Sequence, residues 1–180
     1  MDLESKKKYF EEIYGQMADK IFRFVLLRVG SREDAVDIVE EVFYKFWQTI
    51  HNGENILLTT PFLFTIARNK VIDWYRKKRP ESLDQMVESA LDEEREPLQL
   101  IDREAYESMK ISVEAQFVVA SLQKISPQYR DILQMRFVEG LSIEEIAQIL
   151  QITENAVSLR LNHGLQKLRE KLDINIKKDE

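Results

Sequence analysis

The chain has no cysteine in its 180 residues. That excludes disulfides and thiolate metal sites and is compatible with a reducing compartment. Histidine is almost as scarce, with only two, His51 and His163, far apart in sequence. There are no metal-spaced ligands and no glycine loop that could cradle a phosphate, so neither an enzyme nor a cofactor is expected. Five glycines and four prolines are few, and with 44% hydrophobic and 32% charged residues they point to a soluble, globular, helix-rich protein. No apolar run approaches bilayer length, and the N-terminal MDLESKKKYF lacks a signal-peptide core. The expectation is a cytoplasmic protein without membrane insertion.

What is present is an uneven charge. The net value of −6 conceals fourteen basic and twelve acidic residues in 1–79, three and eleven in 80–114, and nine of each in 115–180. A block of like charge poor in aromatics behaves as an extended connector. The sequence therefore predicts an all-α protein of two helical domains, residues 1–80 and 115–176, joined by an acidic linker over 81–114.

In the first domain a helical pattern runs from about Lys6 to Val29, with Gly30 as its cap. Ser31 is placed as an N-cap ahead of Glu33 and Asp34, whose charges favour the helix dipole. Ala35, Ile38, Val39, Val42, Phe43, Phe46, Trp47 and Ile50 then recur at spacings of three and four, one apolar stripe. The other side carries Asp34, Asp37, Glu40 and Glu41, which as charge patterning alone read as a solvated face. After the polar loop HNGENILLTT, Thr60-Pro61 has the form of an N-cap with proline at the first helical position. On a helix over 61–79, at about 100° per residue, Leu63, Phe64, Ala67, Val71 and Trp74 share one arc, which places Trp74 in the core. Thr65, Asn69, Asp73 and Arg76 share the opposite arc. The run Arg76-Lys77-Lys78-Arg79 is more positive charge than dipole compensation requires and suits an anionic partner.

The second domain shows three helix signatures in close order. Ser126-Pro127 opens one that runs through Leu133 and Phe137 to Gly140, and Ser142-Ile143-Glu144-Glu145 is a capping box for a short helix to Leu150. The turn Gln151-Ile152-Thr153 leads into a helix from Glu154 to about Leu172. This is a helix-turn-helix. Val157, Leu161, Leu165, Leu168 and Leu172 form its expected core stripe. Asn155, Leu159, Asn162, His163 and Gln166 point away, flanked by Arg160 and Lys167. Amides and imidazole suit base edges, and an outward leucine suits a thymine methyl.

The stretches DAVDIVEEVFYKFW, FLFTIARNKVIDWYRK and LSIEEIAQILQITENAVSLRL, in that order, resemble the two modules of the extracytoplasmic-function sigma factors of bacterial RNA polymerase, over nearly the whole chain outside the linker and tails. The resemblance implies an alternative sigma factor that binds core polymerase and directs promoter-specific initiation. Asp34, Asp37, Glu40 and Glu41 would meet the clamp helices of the largest polymerase subunit. The loop from about His51 to Thr60 would hold a base flipped from the non-template strand. Asn69, Asp73, Arg76, Lys77 and Arg79 would contact the minus-ten element. Asn155, Ser158, Leu159, Arg160, Asn162, His163 and Lys167 would read the minus-thirty-five element from the major groove. An anti-sigma factor is an expected partner.

The chain departs from the family pattern at Ser158, where a basic residue is common, and over His163-Gly164-Leu165-Gln166, where a more basic run is usual. Fewer phosphate contacts should follow. It shows no counterpart of the acidic N-terminal region or middle domain of primary sigma factors, which implies a narrow promoter set. An ordinary helix-turn-helix regulator with a helical effector domain is the alternative, but it accounts for residues 115–172 and not for the Asn69–Arg79 surface.

Overall fold

The computed structural model describes residues 2–78, 121–122 and 125–171. Every regular element among the described residues is helical, the expected all-α class. The chain divides into two compact units. The acidic linker 81–114, the domain boundaries expected beside it, Arg79 and Leu172 lie outside the described residues.

The first unit is three helices, α1 (Leu3–Val29), α2 (Arg32–His51) and α3 (Thr59–Lys78). α1 starts three residues earlier than the sequence pattern suggests, because the Asp2 carboxylate accepts from the Ser5 amide at 2.8 Å and caps the helix. Gly30 ends it in the left-handed region at φ 74°, where a side chain would be strained. Ser31 caps α2 as expected, its hydroxyl accepting from the Asp34 amide. α3 begins at Thr59, not after Thr60 as the Thr60-Pro61 pair suggests. The first turn leaves several N–H groups without intrahelical partners, so Pro61 is tolerated deeper in that turn than its first position.

Apolar stripes of the three helices meet in one core. Phe24 of α1 and Phe64 of α3 are fully buried and pack edge to face, with centroids 5.0 Å apart at 88°. Phe46 of α2, also fully buried, contacts Tyr9 and Phe10 of α1. Truncating one of these rings to alanine costs about 3–5 kcal/mol. Buried Arg28 lies 3.5 Å from the centroid of the Phe24 ring and donates to the Phe24 carbonyl, while the Tyr75 hydroxyl donates to the Arg28 carbonyl. That last bond ties α3 to the end of α1.

In the second unit α4 (Pro127–Leu133) passes into a π-helical segment, Gln134–Val138. α5 (Ile143–Leu150) and α6 (Glu154–Lys171) follow. Buried Arg130 stitches the approach to α4 by donating to the carbonyls of Leu122 and Ile125 at 3.1 and 3.0 Å. The capping box of α5 is present in both directions, Ser142 and Glu145 each accepting from the other's amide. Gln151 closes α5 at φ 55°, the only positive-φ residue other than glycine among the described residues.

The α6 stripe differs from the expected one. Val157 and Leu161 are buried, but Leu165 is 39% exposed, and buried Gly164 takes its place. A Cβ on Gly164 would lie 3.1 Å from Leu133 Cδ1 and 3.2 Å from Tyr129 Cβ. The helices approach so closely there that a leucine does not fit, and Leu165 turns outward.

Candidate promoter and polymerase surfaces

α2 carries the acidic surface. Asp37, Glu40 and Glu41 are exposed, and Asp34 is half-buried at the first turn. Two of the four acids are held within the molecule. Lys78 donates to Asp34 at 2.9 Å, and Lys70 pairs with Glu41. Partial burial pushes the Asp34 carboxyl up, but Lys78, Trp74 and the Ser31 hydroxyl outweigh it and hold the group below its ordinary range. Lys78 stands 44 residues from Asp34 and Lys70 stands 29 from Glu41 in sequence, separations that no local pattern reveals. The two pairs strap α3 onto α2.

α3 exposes Asn69, Asp73, Arg76 and Lys77, with Arg76 within 3.5 Å of Asp73. The basic run is therefore less free than its composition suggests. Lys78 is tied to Asp34 and also lies 4.4 Å from the Trp74 ring centroid, while Lys70 is tied to Glu41. Trp74 is half-buried, not in the core as its arc predicts. It sits edge-on to Tyr75 at 5.0 Å beneath the Lys78 ammonium.

The loop between α2 and α3 has defined ends. The amides of Asn52, Gly53 and Glu54 donate back to Gln48, Ile50 and Thr49, with Gly53 at φ 78°, a helix C-terminus closed through the left-handed region. At the far end the Phe62 amide donates to the Leu58 carbonyl. Leu57 and Leu58, between these anchors, are 85% and 49% exposed.

In the second unit α5, the turn and α6 form the helix-turn-helix. The Thr153 hydroxyl accepts from the Ala156 amide at 3.2 Å and fixes the start of α6. Asn155, Leu159, Asn162, His163 and Gln166 are exposed, Leu159 at 57%. Ser158, Arg160 and Lys167 are half-buried at the flanks, and the Lys167 ammonium lies 5.6 Å from the Tyr129 ring centroid. The outward set predicted from periodicity thus shares one face.

Among the described residues no helix is long and apolar enough to cross a membrane, and no three His, Asp or Glu side chains gather as a metal site.

Comparison with known proteins agrees with this arrangement. Residues 13–81 match the family described as Sigma-70 region 2, and residues 118–168 match Sigma-70, region 4. The chain is 24% identical over 169 residues to the ECF RNA polymerase sigma factor SigX of Bacillus subtilis, covering 92% of this chain and 84% of SigX. It is 27% identical over 165 residues to SigW of the same organism, covering 91% and 88%. Among solved structures, the sigma factor RpoE in complex with the anti-sigma factor NepR, from Bartonella quintana, has a similar fold with a TM-score of 0.63 at 19% identity, covering 93% of this chain and 99% of that one. CnrH in complex with the cytosolic domain of CnrY gives 0.64 at 20%, covering 94% and 90%. A three-helix unit and a helix-turn-helix unit, matched in order to regions 2 and 4, place the chain in the sigma-70 family: it is an extracytoplasmic-function sigma factor, an alternative sigma subunit that directs promoter-specific transcription.

Proposed function

We propose that the three surfaces divide the work of initiation. Asp37, Glu40 and Glu41, with Asp34 at the edge, dock on the clamp helices of the polymerase largest subunit. Asn69, Asp73, Arg76 and Lys77, continued by Arg79, engage the minus-ten element as it opens, and the loop 52–58 receives an unstacked base. Asn155, Ser158, Leu159, Arg160, Asn162, His163 and Lys167 read the minus-thirty-five duplex. An anti-sigma factor restrains the protein in the cytoplasm until it is needed. The observation that carries this reading is the distribution of exposed polar groups. Amides and an imidazole cluster on the face of α6 that suits a major groove, whereas α3 pairs an amide and a guanidinium with nearby positive charge, suited to an opened strand.

The test is transcription with core polymerase on an ordinary template and on one pre-melted across the minus-ten region. Arg76→Ala should be partly rescued by the bubble, because a pre-opened strand removes the cost of melting. His163→Ala should not, because its duplex contact remains as weak as before. If both respond alike, the division of labour is wrong.

A further inference from the structure

Two side chains of α1 hold the loop between α2 and α3 from outside. The Lys6 ammonium donates to the His51 carbonyl at 2.8 Å, so it caps the last turn of α2, where carbonyls lack partners and the dipole favours a cation. One turn along, the Tyr9 hydroxyl shares a 2.7 Å hydrogen bond with Thr59 Oγ1, at the first residue of α3. The Tyr9 ring is itself seated on buried Phe46, with centroids 6.1 Å apart. Lys6 and Tyr9 therefore fix the two ends of one loop to one rigid helix. Its tip, with Leu57 almost fully exposed, projects between fixed points. Both residues precede residue 13, where the match to region 2 begins, so this clamp is built from sequence outside the matched segment.

We propose that Lys6 and Tyr9 are positioning residues for promoter opening: they set the spacing and tilt of the loop so that its apolar tip meets an unstacked base of the opened strand. This rests on the reading of loop 52–58 as strand-facing. Neither side chain touches DNA. They act by removing conformations of the loop that would otherwise have to be lost on capture.

The experiment uses the full chain with core polymerase and promoter DNA carrying 2-aminopurine in the non-template strand across the minus-ten element. Its fluorescence rises when the base unstacks. Tyr9→Phe removes only a hydroxyl, and Lys6→Met removes the ammonium, both its charge and its hydrogen bond to the His51 carbonyl. Each should lower the fluorescence-detected opened fraction about two- to tenfold, the range set by one lost hydrogen bond. Affinity for core polymerase and binding of the minus-thirty-five duplex should stay unchanged, the thermal midpoint should fall by no more than the loss of one hydrogen bond accounts for, and Lys6→Arg should restore opening. Leu57→Ser/Leu58→Ser is the companion variant and should also lose signal. If it does while Tyr9→Phe and Lys6→Met open normally, the clamp is refuted and the loop reading stands. If the leucine variant also opens normally, the loop does not face the strand and the proposal falls with that reading. If Tyr9→Phe lowers the midpoint and core affinity together with opening, its role is structural and positioning is again refuted.

Discussion

Replacing Gly164 by alanine should destabilise the second unit, against the ordinary rule for helices. In an open helix interior the change gains about 1 kcal/mol, because glycine has the larger backbone entropy to lose. At Gly164 the new methyl would stand 3.1–3.2 Å from Leu133 Cδ1, Leu133 Cγ and Tyr129 Cβ. Leu133 is 1% exposed and cannot swing away, and a Cβ moves only with its backbone. Overpacking of this kind costs about 1–3 kcal/mol, so the net loss is about 1 kcal/mol, or about 4–8 °C for a domain of 60–100 residues. Gly15→Ala is the internal control. Gly15 also lies within a helix, yet a Cβ there meets nothing within 4 Å, so the ordinary gain should appear. Both tryptophans, Trp47 and Trp74, belong to the first unit, so their emission follows that unit alone while circular dichroism follows both. Gly164→Ala should bring forward a dichroism transition and leave the emission transition in place; Gly15→Ala should raise the latter. A Gly164→Ala protein that melts later would show that α4 and α6 have room to part, and the close-approach argument would fail.

Further expectations concern charge and capping. Asp34 has a lowered pKa in the folded state, so its contribution to stability is present above the unfolded value, near 3.8, and is lost as pH falls through the lowered folded value. Asp34→Asn should therefore lower the emission-detected stability near neutral pH, and the two proteins should converge only on the acid side of pH ~3.8; a difference independent of pH would contradict the Lys78 pairing. Asp37→Lys/Glu40→Lys should change stability by about 0.5 kcal/mol or less, as exposed substitutions do, while weakening capture by core polymerase; unchanged pull-down would leave these acids as plain surface. Ser142→Ala should cost about 1 kcal/mol through loss of half the capping box, read as an earlier dichroism transition with normal emission.

Much of this was legible in the sequence because local chemistry and tertiary packing agree. Gly30-Ser31, the Ser142–Glu145 box and the stripe from Ala35 to Ile50 each carry a local signal that the fold keeps. The failures share a cause, which is that the deciding partner is remote. Hydropathy assigns Leu165 to the core and cannot see that Tyr129 and Leu133 leave space only for Gly164. Pro61 marks a first turn but not which residue of it. The π-helical segment adds a residue to the turn and shifts the register after Leu133, so Met135 is buried while Phe137 is 55% exposed. The outward sets on α3 and α6 were readable because the helical period sets them opposite the buried stripe, although at the edges of that stripe it misplaced Trp74 and Leu165. Which of their charges are already engaged was not: the pairing of Lys70 with Glu41 and of Lys78 with Asp34 depends on how α2 and α3 cross.

Those two pairs bear on how the proposed minus-ten contact would respond to ionic strength. When a free lysine meets a phosphate, a cation condensed on the DNA is set loose, and the gain in its entropy makes binding steeply salt-dependent. Lys70 and Lys78 cannot make such a contact without leaving their carboxylates. Glu41 or Asp34 then gathers a cation from solution as the DNA sheds one, and the ion balance for that contact approaches zero. Added salt loosens the internal pair as well as the phosphate contact, so the two effects offset. The logarithm of affinity should therefore fall with the logarithm of salt less steeply than the count of lysines and arginines on α3 implies.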